Sequence, residues 1–199
     1  MLHRFAPEFR GAKVTKSLAR RGAAAIALVT LFGVGQPLCA GELAPWGKGS
    51  QPSFTLPSIA GVDVSLGARR GGTVLVHFFA TWCELCRNEL PALARLSERT
   101  SLKIIAISVA EPDIRVQRFL QSTPVGFPVL LDRDRAVAKA WQVETLPTTF
   151  VLDSQLSPRF VVEGDYSWDA LDQAKLNAAM AAQQHALTQN TEGTNDALR

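Results

Sequence analysis

Trp82-Cys83-Glu84-Leu85-Cys86 is the stretch on which the fold turns. It follows the apolar run Thr73-Val-Leu-Val-His-Phe-Phe79 and precedes a helical pattern marked by Leu90, Leu93 and Leu96. A buried strand running into a helix is expected, with the two cysteines at the junction. Cys83 then falls at or just before the first helical turn, where unpaired backbone N–H groups and the helix dipole favour a thiolate. Cys86 falls one turn further in and is expected to be more buried. Cys83 is therefore read as the attacking thiol, and Cys86 as the thiol that resolves a mixed disulfide.

Strand and helix patterns alternate on either side of this motif. Apolar runs at 74–79, 103–109, 129–132 and 149–152, and a final one at 159–163, read as strands. Helical spacing recurs at Val116, Phe119 and Leu120, at Val137, Ala140 and Trp141, and from Trp168 to Ala182. The fold class is α/β, a three-layer sandwich with helices on both faces of a central sheet. Residues 53–66 read as a small N-terminal hairpin arm, 41–52 as a Gly/Pro-rich linker, and 183–199 as a disordered tail.

The chain has 199 residues, 47% apolar and 20% charged, which suits one globular domain. Its net charge of +3 owes its sign to residues 1–40, which carry Arg4, Arg10, Lys13, Lys16, Arg20 and Arg21 against Glu8, a net of +5. Beyond them stand 15 basic and 17 acidic residues, a net of −2. With no basic stripe there, no nucleic-acid role is expected. Arg20-Arg21 followed by the apolar run from Gly22 reads as a signal peptide or, if uncleaved, an N-terminal anchor through residues 22–38. Export to the periplasm is expected in either case, with attachment to the inner membrane in the second. Cys39 goes with the leader, which leaves only Cys83 and Cys86. A pair so close in sequence staples no fold of this size, so chemistry is its expected use. A four-thiolate zinc site lacks two of its ligands, and no metal is expected.

Trp-Cys-x-x-Cys after an apolar strand resembles the thioredoxin superfamily. Pro91, eight residues after Cys83, Leu146-Pro147-Thr148-Thr149-Phe150 and Gly164 strengthen the likeness. With the leader, the arm and the extra βα element near 103–122, the chain resembles the TlpA/ResA-like branch of exported thiol-disulfide oxidoreductases over residues 52–182. The resemblance implies a thioredoxin-like fold with a mixed sheet, and a cis Leu146-Pro147 bond facing the dithiol. Cis X–Pro bonds are a minority and usually mark a tight turn. The exposed backbone of Leu146 can then pair with an extended client segment. Trp82, on the same reading, covers the disulfide.

His77 stands six positions before Cys83, where thioredoxin has a buried acid and many exported relatives have Asn. It is expected beneath the dithiol, towards Cys86, titrating near the pH of exchange and taking the Cys86 proton. Glu84 matches the first intervening residue of the family's CEPC version. A carboxylate beside Cys83 opposes thiolate formation and makes the disulfide less oxidising; the helix dipole alone also favours an acid there. Leu85 departs from the family's frequent Pro. Glu89, Arg87 and Arg95 read as solvated helix charges.

The expected function is a dithiol reductase of disulfides in exported or membrane-tethered proteins, with no cofactor beyond the Cys83–Cys86 disulfide. In the resembling family such clients include the haem-attachment motif of cytochromes c and copper-site cysteines of oxidase assembly. A membrane dithiol donor is implied, and a monomer is expected. Two rivals are a thiol peroxidase and a copper-binding assembly protein. The first lacks Pro and the hydroxyl residue at the places before Cys83 that a peroxidase pocket wants; the second would use two thiolates and a histidine for Cu(I).

Overall fold

The computed structural model describes residues 41–196, with side chains to residue 186; the expected leader, residues 1–40, lies outside them. The strands are β1 (Ala44–Pro45), β2 (Thr55–Pro57), β3 (Asp63–Ser65), β4 (Val74–Phe79), β5 (Lys103–Val109), β6 (Val129–Asp132), β7 (Thr148–Leu152) and β8 (Pro158–Glu163). The helices are α1 (Glu84–Arg99), α2 (Asp113–Ser122), α3 (Ala136–Ala140) and α4 (Gln173–Asp196). Six strands form one mixed sheet in the order β1-β8-β7-β4-β5-β6. β4, β5 and β6 run parallel, while β7, β8 and β1 are antiparallel to their neighbours. β2 and β3 make the expected hairpin arm.

All six residues of β4 are buried, as a central strand covered on both faces requires. Its alternation sorts two cores. Leu75 and Phe79 pack with Leu90, Leu93 and Leu96 of α1 and with Val116 of α2 and Leu176 of α4. Val74, Val76 and Phe78 pack on the other side with Trp141, Phe54 and Leu66. His77 lies between Leu75 and Phe79 in sequence and so shares the α1 face. Burying a side chain such as Phe78 is worth about 2–3 kcal/mol, so β4 is a rigid base for whatever follows it.

Two expectations at the edges are corrected. The 41–52 linker is docked: β1 pairs with β8, the Trp46 N–H donates to the Arg159 carbonyl at 2.8 Å, and Gly41 donates to Asp165. A Cβ on Gly41 would come within 2.8 Å of the Glu163 carbonyl, so glycine is needed for this approach. Its Gly and Pro content read as a linker because a two-residue strand has no visible period. The expected disordered tail is helical as far as Asp196. Polar composition suggested disorder, whereas Ala, Gln and Leu are strong helix formers and extend α4. Among the described residues, no helix is long and apolar enough to cross a membrane.

The β7–β8 turn depends on Asp153, which is 8% exposed. Its carboxylate accepts from the N–H groups of Gln155 and Ser157, each at 2.9 Å, and from Arg159 Nε at 2.8 Å and Nη2 at 2.6 Å. Removing one partner of a buried pair leaves the other charge uncompensated. Asp153→Ala is expected to lower unfolding free energy by about 3 kcal/mol in urea titrations; a change of a few tenths would contradict this.

Candidate active site

Cys83 is the N-cap of α1, in extended conformation, and its Sγ accepts the Cys86 N–H at 3.2 Å. The two cysteines form a disulfide. Cys83 is 8% exposed and Cys86 fully buried, so only the first sulfur has a path to a partner. The Leu146-Pro147 bond is cis, and the Leu146 carbonyl oxygen lies 3.7 Å from Cys83 Sγ. The loop after Pro147 is closed by the Gly164 N–H, which donates to the Pro147 carbonyl at 2.8 Å; Gly164 supplies the positive φ of 84° needed there. Cys83, Cys86, Leu146 and Pro147 therefore converge on one spot.

Trp82 is 66% exposed and Leu85 42% exposed. Trp82, next to Cys83 in sequence, thus projects from the surface. With Glu84, Arg87, Asn88, Phe119, Ser122 and Thr123 it lines a polar trough of about 440 Å³. Glu84 opens α1 at the favourable end of the helix dipole.

His77 departs from its expected behaviour. It is fully buried, and burial pulls its imidazole down to about 3. It is therefore neutral at the pH of disulfide exchange, so it neither titrates there nor stabilises a thiolate by charge. Its Nδ1 meets Thr149 Oγ1 at 2.8 Å and lies 3.7 Å from Glu89 Oε2. Its Nε2 is buried without a hydrogen-bond partner.

Glu89, read as a solvated charge, is instead 2% exposed. Its Oε1 accepts the Tyr166 N–H at 2.6 Å, while Oε2 has no hydrogen bond. Burial raises its carboxyl to about 7, against the lowering effects of Trp168 and the Tyr166 N–H. The signal was in the spacing. Glu89 is three residues after Cys86, on the helix face that also carries Leu90, Leu93 and Leu96. The buried group pushed up towards neutrality, one helical turn after Cys86, is thus a carboxyl on α1, and His77 is its neutral neighbour. Among the described residues, no three His, Cys, Asp or Glu side chains are grouped to hold a metal ion.

Residues 49–157 match the AhpC/TSA family model. The chain belongs to the AhpC/TSA family. It is 37% identical over 116 residues to the thiol-disulfide oxidoreductase ResA of Bacillus subtilis, covering 57% of this chain and 65% of that protein. It is 30% identical over 125 residues to the ResA of Geobacillus thermodenitrificans, covering 61% and 72%. The match to the first thus spans just under two thirds of its length. Among solved structures, a putative thiol:disulfide interchange protein DsbE from Chlorobium tepidum superposes with a TM-score of 0.61 at 24% identity, over 70% of this chain and 99% of that one. StoA from Bacillus subtilis gives 0.53 at 23%, over 60% and 92%. The fold is thioredoxin-like, as the sequence motif implied.

The two shifted groups affect stability in opposite directions. His77 has a lowered folded pKa, so its contribution is complete above about 6.5 and is lost as pH falls towards 3. Glu89 has a raised one, so the fold is favoured below about 4.5 and loses stability as pH rises towards 7. Glu89→Gln is expected to match the parent at pH 4 and to exceed it by about 3 kcal/mol at pH 8. Urea midpoints at the two pH values check this, and equal differences at both would refute it.

Proposed function

We propose that this chain is an exported thiol-disulfide oxidoreductase that reduces disulfides in exported or membrane-tethered proteins. The observation that carries the reading is the asymmetry of the pair: Cys83 at the helix N-terminus beside the Leu146 carbonyl, and Cys86 fully buried one turn in. Closure of Cys83 onto Cys86, and relatives named as thiol-disulfide oxidoreductases, support exchange between thiols over peroxide reduction. Two structural neighbours carry the word secreted in their names, from Mycobacterium tuberculosis and Corynebacterium glutamicum, which supports the export expected from residues 1–40. The copper reading needs a third ligand beside the two cysteines, and among the described residues no three His, Cys, Asp or Glu side chains are grouped to hold a metal ion.

In the reduced protein the Cys83 thiolate attacks one sulfur of a client disulfide. A Cys83–client bond forms, and the other client sulfur leaves as a thiolate that takes a proton from water. The Cys86 thiol passes its proton to the Glu89 carboxylate, and the resulting thiolate attacks Cys83 Sγ. The second client sulfur leaves as a thiolate and takes up a proton, matched by release of the one held on Glu89, so that the client is a dithiol and the protein carries the disulfide seen here. The two electrons that restore the dithiol come from a membrane dithiol partner. Clients of the cytochrome c maturation or oxidase copper-site assembly class fit this chemistry. Glu84 keeps the poise reducing by opposing the Cys83 thiolate. Trp82 and the backbone of Leu146 receive the client as a short extended segment.

Resolution of the mixed disulfide is expected to accelerate through pH 7 in the parent chain, and Glu89→Gln should remove that inflection. Stopped-flow measurement with a disulfide-bonded peptide decides it; an unchanged profile would remove Glu89 from the proton path. Cys86→Ser in the native cell is expected to trap a Cys83-linked client that thiol reductant releases. Absence of any trapped protein would count against the reductase reading.

A further inference from the structure

Glu111 lies two residues beyond the end of β5 and is 5% exposed, yet the exchange steps above make no use of it. Ala110 before it has a positive φ of 57°, and Pro112 after it is the N-cap of α2. That conformation is uncommon for a residue with a side chain, and the Ala110 N–H is tied to the Asp132 carbonyl at 2.9 Å. The backbone is thus held in a turn that sends the Glu111 carboxylate inward. Oε2 accepts the Thr81 N–H at 2.7 Å and the Ser108 hydroxyl at 3.0 Å, while Oε1 accepts the Thr81 hydroxyl at 2.5 Å. Among the described residues it makes no ion pair. These three donors compensate a buried anion, and bonds to a charged acceptor are about twice as strong as neutral ones.

Both groups of Thr81 are taken by one carboxylate, and Thr81 is two residues before Cys83. Ala80-Thr81-Trp82 is the whole connection between β4 and the N-cap of α1. The Cys83 N–H itself donates to the Ala80 carbonyl at 3.1 Å. A clamp on Thr81 therefore sets both the direction of the exposed Trp82 and the placement of Cys83 Sγ against Leu146.

We propose that Glu111 is a positioning residue for thiol-disulfide exchange, holding the 80–82 connection so that Cys83 and Trp82 meet the client in reactive geometry. This rests on the exchange reading above. Exchange needs three sulfurs in line, so a loosened Cys83 costs rate even where the fold survives.

The test is a double-mutant cycle on the full chain with Glu111→Gln and Thr81→Val. Valine removes the hydroxyl donor and keeps the N–H; glutamine keeps one acceptor oxygen and removes the charge. Each single variant is expected to stay folded by circular dichroism and to lower kcat/KM on a peptide with one internal disulfide by about tenfold. The double variant should lose little more than the worse single, since both cut the same clamp. Two further readouts do not depend on client turnover. The Cys83 alkylation rate by iodoacetamide in the reduced protein should change, and amide exchange at residues 81–83 should speed up. A chain that turns over no peptide but shows both of these changes would overturn the exchange reading and uphold the clamp. Folded variants with parental alkylation and amide exchange, or rate losses that simply multiply, would overturn the clamp.

Discussion

β4 packs under the first turns of α1, and the other features of the site depend on that contact. The strand is buried on both faces, so it fixes where the helix begins. The position of Cys83 at the N-cap, with Cys86 sealed behind it, follows from that geometry. A helix N-terminus favours an anionic sulfur on its first cysteine, and a core position disfavours one on its second. The same contact therefore separates the roles of two chemically identical residues. The antiparallel partner β7 brings Leu146 and Pro147 to the exposed sulfur from the other side.

Polar groups in this core come in a set. His77 on β4, Thr149 on β7 and Glu89 on α1 meet in a region otherwise lined with Leu, Phe and Val. Burial acts on the first and third in the same sense, disfavouring charge on each, and so lowers one pKa and raises the other. At neutral pH the imidazole is uncharged and the carboxyl is near its midpoint. A buried group that can hold or release a proton one turn from Cys86 meets the need of a thiol that must ionise only when it attacks. On the other side of the motif, Glu111 is a buried carboxylate of a different kind, satisfied by three donors and suited to holding a shape.

Much of this was legible in the residues. The runs around 74–79, 103–109 and 129–132 are continuous apolar strands, and the structure places β4, β5 and β6 there. The cysteine pair and Pro147 were readable because the motif and its setting restrict what they can be. Glu89 was missed because an acid on a helix is ordinarily solvated, and only the face it shares with Cys86 showed otherwise. Glu111 carried no signal, since its burial depends on Thr81, thirty residues away in sequence. His77 lies on the α1 face that its place in the strand implies, but its imidazole is held well below the ordinary histidine range. A histidine's ordinary pKa suggests neutrality as a switch point, whereas complete burial moves it far below. β1 and the end of α4 were missed for lack of period and of apolar content.

In the exchange proposed above, Cys86 passes its proton to the Glu89 carboxyl. Difference infrared spectroscopy of the chain across pH 5–9 tests it most directly, with Glu89→Gln to assign the protonated carboxyl band. A buried carboxylic acid band that disappears with a midpoint near pH 7 and is absent from the Gln variant is expected. A carboxylate already ionised at pH 5, or a band indifferent to the substitution, would contradict it.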